Sequence, residues 1–201
     1  MDGSGCMNDG SGPLETGRLE SRSLKKFINH NQMQNIDPFD PECTIENTRT
    51  VSASTQLAFR AWSEPHHLKV WWGPAGFTNT FHTFDFRPGG RWCFVMHGPD
   101  KGNYVNEVEF VRIEPPSLIY WKRHSKPLFR VLVTFEEVDA EHTRIVFRQI
   151  FDTVEECDKL RRFVVDKNEE NFDRLEEVLK GLLRAEKRFG DQGGTRGRKI
   201  I

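Results

Sequence analysis

The chain of 201 residues is 36% hydrophobic and 29% charged, with a formal net charge of −1; this suits one ordinary globular domain with tails and argues against a polyanion or nucleic-acid binder that works through bulk positive charge. No apolar run approaches the roughly 20 residues that span a bilayer, and Met1 to Gly12 has no hydrophobic region of the signal-peptide kind, so no membrane insertion and a cytoplasmic address are expected. The four cysteines, Cys6, Cys43, Cys93 and Cys157, form no Cys-x-x-Cys pair, which predicts neither a zinc site nor a disulfide framework.

Residues 1–36 are rich in Gly, Ser, Asn and Asp and predict a leader, either flexible or carrying a short helix from Leu19 to about Gln34 with Leu24, Phe27, Ile28 and Met33 as its apolar side. Pro38 and Pro41 mark its boundary with a domain over residues 37–186. Cys43 to Ser52 alternates and suits a first strand. Ser54 is placed to cap a helix bearing Leu57, Ala58, Ala61 and Trp62, and Glu64-Pro65 separates it from a second short helix, His66 to Trp72.

Trp71-Trp72-Gly73-Pro74 then ends the helical part, because proline disfavours helical dihedrals at the residue before it. Two adjacent tryptophans are costly to expose, since each buries roughly 150–250 Å²; they are expected to cap a core or line a cavity. Six strands follow: Thr80–Phe86, Arg91–His97, Tyr104–Ile113, Leu118–His124, Leu128–Val138 and Thr143–Phe151, each bounded by turn residues such as Pro88-Gly89-Gly90 or Pro115-Pro116. The short connections predict an antiparallel meander, and alternation at Trp92, Phe94 and Met96 and at Phe129, Val131, Val133 and Phe135 predicts one strongly apolar face. At least one glycine of the Gly89-Gly90 pair is expected at positive φ.

An amphipathic helix of about 20 residues is expected after these strands, with Asp166 as N-cap, Glu169 three residues on, and Phe172, Leu175, Val178, Leu179 and Leu182 as its apolar stripe. Residues 187–201 read as a basic, Gly-rich, solvated tail.

The sequence Trp71-Trp72-Gly73-Pro74-x-Gly76-Phe77, with Asp85-x-Arg87-Pro88-Gly89-Gly90-Arg91, Val95-Met96-x-Gly98, Tyr104-x-Asn106-Glu107, Pro115-Pro116 and Phe172-Asp173-Arg174-Leu175, resembles the domain shared by homologues of the activator of the heat-shock chaperone ATPase. That family lies within the START-like, or SRPBCC, helix-grip superfamily. The resemblance covers roughly residues 44–183 and departs from the usual pattern at Ser117-Leu118 and at Lys167. It implies an α+β helix-grip fold, a curved antiparallel sheet wrapped around a long C-terminal helix with an elongated cavity between them. It also implies links to a chaperone partner and to stress responses.

The aromatic richness, 16 Phe and 5 Trp, independently favours an apolar site. The expected ligand-binding residues are Trp71, Trp72, His82, Trp92, Phe94, Met96, Tyr104, Glu107, Trp121, Phe129, Val133, Phe147, Phe172 and Leu175, with Tyr104, Glu107 and Arg130 as polar contacts. No catalytic triad, Cys-His pair or carboxylate pair falls on one surface, and adjacent His66 and His67 are expected to diverge around their helix, so neither catalysis, cofactor nor metal is predicted. The function expected is non-catalytic binding of a hydrophobic or aromatic small molecule. The alternatives are a chaperone-interaction module and a cyclase or hydrolase using the same cavity.

Overall fold

The structure, a computed structural model, describes residues 39–193, with side chains up to residue 188; the expected leader helix at Leu19–Gln34 and the end of the Gly-rich tail lie outside the described residues. A short 3₁₀ turn, Pro41–Cys43, opens the domain, with Asp40 accepting from the Glu42 N–H. The strands are β1 (Thr44–Val51), β2 (Thr78–Phe84), β3 (Arg91–His97), β4 (Asn103–Glu114), β5 (Leu118–Arg123), β6 (Phe129–Glu137) and β7 (Thr143–Ile150); the helices are α1 (Thr55–Ser63), α2 (Pro65–Trp71) and α3 (Val154–Gly193). The strands form one sheet in the order β1-β7-β6-β5-β4-β3-β2, with antiparallel neighbours throughout.

Among the described residues the one break from the meander is the passage from β1 to β2, which lie at opposite edges. α1 and α2 make that crossing. Ser54 Oγ accepts from the Leu57 N–H at 3.3 Å, the expected cap, and α1 buries Leu57, Ala58, Phe59, Ala61 and Trp62. The turn between β2 and β3 also follows expectation: Gly89 sits at φ +77°, where a side chain would be strained. A Cβ on Gly90 would come within 2.0 Å of the Asp85 carbonyl oxygen.

The long helix differs from its expected form. It spans 40 residues and begins at Val154, where Thr153 Oγ1 accepts from the Glu156 N–H at 3.3 Å; Asp166 lies well inside it and is exposed. The first three turns are stabilised by a small separate core in which Cys157 packs with Ile45 and Phe151, flanked by Leu160, Val164 and Val165. Arg161 adds hydrogen bonds to the Thr44 and Glu42 carbonyls, both at 3.2 Å. Further along, Phe172, Leu175 and Leu179 join the main core with residues of α1, α2 and six of the strands. This is the helix-grip arrangement. No helix among the described residues is long and apolar enough to cross a membrane.

Candidate functional site

Between α3 and the sheet lies a seam that is aromatic at one end and polar at the other. At the aromatic end Trp62, at the last turn of α1, is the hub. Its ring centroid lies 4.6 Å from Trp71, 5.9 Å from Trp72, 6.4 Å from Trp121, 5.8 Å from Phe135 and 6.0 Å from Phe147. Trp71, Trp92 and Phe172 share this core at 1%, 1% and 3% exposure, with Phe94, Trp121, Val133, Phe147 and Leu175 also buried. The orientation of Trp121, which strand parity leaves open, is inward.

Trp71 is fixed by an indole N–H bond to the Ala61 carbonyl at 2.9 Å. Trp72 caps the end of α2 in an extended conformation and is half-buried. Its ring lies 5.5 Å from Trp71, 5.4 Å from Trp92, 5.9 Å from Trp121 and 6.3 Å from Phe147. The space expected to form an elongated cavity is therefore occupied by indole. What is left is a cavity of about 10 Å³ lined by Trp62, Trp71, Trp72, Phe147, Asn168, Asn171 and Phe172, about the room one water needs. Two of these residues keep a buried polar atom without a hydrogen-bond partner, Trp62 Nε1 and Asn171 Oδ1.

The turn after the two tryptophans is held from a distance. Arg174 of α3 donates to the carbonyls of Gly73 (2.6 Å), Pro74 (2.8 Å) and Val70 (2.6 Å), and Glu170 accepts from the Ala75 N–H at 2.9 Å. Buried Asn79 donates to the Lys69 and Trp72 carbonyls at 3.2 and 2.5 Å. The carbonyls at the end of α2, which no helical N–H can satisfy, thus receive side-chain donors from β2 and α3. Partial burial pushes the Arg174 guanidinium below its ordinary pKa. Gly73, at φ +100°, also makes room for Met96, whose Cε would lie 2.7 Å from any Cβ there.

At the polar end, Asn168 donates from its side-chain amide to Asn47 Oδ1 and Gln149 Oε1, both at 2.9 Å and all buried. Asn47 in turn donates to Glu169 and to the Val165 carbonyl. Arg49 pairs with Glu169 (2.8 Å), Asp173 (3.0 Å) and Glu176 (2.7 Å), and these carboxylates raise its pKa. Trp62, Asn168, Asn171 and Arg49 are absent from the sequence-derived site. The two asparagines interrupt an apolar helix stripe, and a polar residue at an inward helical position is the signal that points to them.

Other expected site residues fall elsewhere. His82 is exposed: the β2–β3 register shifts between Phe81 and Thr83, so Phe81 and Phe84 both pack against the core while His82 points out. Alternation carried through a bulge assigns it to the wrong face. Tyr104 is 45% exposed at the Gly98–Gly102 turn, its hydroxyl donating to Asp100 Oδ2 at 3.1 Å. Glu107 pairs with Arg91 at 2.5 Å; its neighbours Asn106 and Val108 are buried, which puts its side chain on the outer face of the sheet. Phe129 touches both core clusters and stacks under Arg123, 5.1 Å above its centroid, and Met96 packs on the main cluster. Arg130 lies 3.8 Å from Asp152. His66 and His67 do not diverge: their ring centroids are 3.9 Å apart, and both imidazoles face Glu64.

Known structures share this fold. Protein NE0264 of Nitrosomonas europaea superposes with a TM-score of 0.67 at 21% identity, covering 72% of this chain and 99% of that one. A protein of Arthrobacter aurescens gives 0.64 at 22% identity over 73% and 92%. The AHSA1 protein of Silicibacter pomeroyi gives 0.57 at 17% identity over 68% and 97%. At such identities the likeness is one of fold. No curated protein sequence matches this chain significantly. The family model described as "Activator of Hsp90 ATPase homolog 1-like protein" matches residues 52–180, more than half of the chain and a range that takes in the tryptophan turn, the Pro-Gly-Gly hairpin and the Arg174 clamp. The chain therefore belongs to the family of Activator of Hsp90 ATPase homolog 1-like proteins, within the START-like superfamily.

Proposed function

We propose that this domain binds an apolar or aromatic small molecule in the seam between sheet and α3, without turning it over, and that the ligand enters by displacing the Trp72 indole. The observation that carries this reading is the contrast between the two neighbouring tryptophans. Trp71 is hydrogen-bonded and 1% exposed, whereas Trp72 is half-buried and fills the centre of the seam against other rings. A side chain that occupies a site and still reaches solvent is placed to leave it. The unpartnered Trp62 Nε1 and Asn171 Oδ1 beside it offer one donor and one acceptor, so the preferred ligand combines a flat apolar body with a hydroxyl, carbonyl or amide.

Native mass spectrometry of the purified chain, together with a panel of aromatic alcohols and amides titrated by tryptophan fluorescence, tests this. Saturable quenching is expected, and Trp72→Ala, which vacates the seam, is expected to bind the same compounds at least about tenfold more tightly. Equal, weak binding by both proteins would exclude the seam as the site.

A second reading, an interaction module for a chaperone or another protein, is supported by Phe163. This residue is 68% exposed in the third turn of α3, among Glu155, Asp158, Lys159 and Arg162. An apolar ring with a charged rim is the composition of a small protein contact. Loss of partner capture on Phe163→Ser, with ligand quenching unchanged, would favour it. The cytoplasm is the proposed location under either reading.

A further inference from the structure

We propose that Glu64, His66 and His67, at the elbow between α1 and α2, form a binding site for a divalent transition-metal ion of the zinc type. Glu64 ends α1 and is the N-cap of α2, yet its side chain makes no capping bond to that helix. Its carboxylate is divided between two tasks instead. Oε1 accepts from Arg60 Nε at 3.3 Å, while Oε2 lies 3.4 Å from His66 Nε2 and 3.0 Å from His67 Nε2. All three ligand atoms lie within 4.8 Å of one another.

Two nitrogens and one oxygen on a tetrahedral ion, with bonds of about 2.0–2.1 Å, stand about 3.3 Å apart. The two spacings to the carboxylate oxygen, 3.4 and 3.0 Å, match two edges of that tetrahedron, and the two imidazole nitrogens lie within 4.8 Å of each other. The consecutive Pro65-His66-His67 start of α2 makes this possible, because it bends both imidazoles back over the residue that precedes the helix.

The neighbouring charges leave Glu64 Oε2 to the two imidazoles. The nearest cation, Arg60, is tied to the other oxygen of Glu64 and, through Nη1, to Glu186 at 3.0 Å. Two imidazoles and one carboxylate select zinc, nickel or copper over magnesium or calcium, which prefer all-oxygen sites. A bound ion would join the end of α1, which carries Trp62, to the start of α2, whose far end leads into Trp71 and Trp72.

The test uses the full chain stripped with chelator and titrated with Zn²⁺ by calorimetry, with Co²⁺ as a spectroscopic probe of coordination. One saturable equivalent is expected for the unaltered protein, with intense visible absorption of low-coordinate Co²⁺. His66→Ala, on an exposed side chain, and Glu64→Gln, which keeps the size and an acceptor oxygen for Arg60, are each expected to weaken that equivalent by at least about tenfold. Magnesium is expected not to compete. Absence of a saturable equivalent, or one that survives both substitutions unchanged, would overturn the proposal.

Discussion

The two ends of the seam under α3 are built from opposite materials. Around Trp62, Trp72 and Phe172 the helix rests on rings, which are held to one another by shape. Around Asn168 it rests on a closed set of amides, Asn47, Asn168 and Gln149, whose hydrogen bonds fix register and tolerate no slip. One helix is thus anchored by directional bonds at one end and by deformable packing at the other. For the ligand entry proposed at Trp72, the amide end would keep the helix in place while the aromatic end rearranged.

The comparison can be broken most severely at Phe172. With only about 10 Å³ of free space beside it, Phe172→Ala is expected to cost about 3–5 kcal/mol in chemical denaturation, the figure for a completely packed ring. A cost under about 2 kcal/mol would mean that the aromatic end already has slack. Next comes the amide end. Asn168→Ala leaves Asn47 Oδ1 and Gln149 Oε1 without their donor and is expected to cost about 1–3 kcal/mol, with a clearly non-additive double mutant alongside Gln149→Ala. Additivity there would show that the three amides act separately.

The smallest effect is expected at Arg49, which borders both regions: it pairs with three carboxylates of α3 and sits 5.7 Å over the Phe172 ring. Arg49→Gln should cost about 1 kcal/mol or less, and less still at 1 M salt, because the pairs are partly solvated and screened. A loss that salt leaves untouched would assign the residue's contribution to stacking on Phe172 instead of charge.

Much of this was legible in the chain. Turn residues together with alternation located every strand of the sheet; Arg91–His97 has the expected bounds, and the burial of Trp71, Trp92 and Phe172 around one space follows from residue size and parity. The first three turns of α3 were not legible, because Glu155, Glu156, Asp158, Lys159, Arg161 and Arg162 crowd a stretch whose inward positions are Cys157, Leu160, Val164 and Val165. His82 was misplaced because alternation cannot reveal a one-residue bulge. The filling of the seam by Trp72 was hidden for a different reason. Periodicity tells which way a side chain points, whereas the room left over depends on the summed volumes of rings brought together from α1, α2, four strands and α3.

The Arg174 clamp also sets an order of events in time. The carbonyls of Val70, Gly73 and Pro74 find their donor 104, 101 and 100 residues further along the chain. A chain made from its N-terminus has both tryptophans and the whole sheet outside the ribosome before that guanidinium emerges. Until then the turn carries open carbonyls and its indoles lack the helix that covers them, a condition that exposes apolar rings to other chains and to chaperones. Synthesis of the last helix is therefore the step that completes the first half of the fold, and a chain ended before Arg174 keeps the sequence of the tryptophan turn but loses what shapes it.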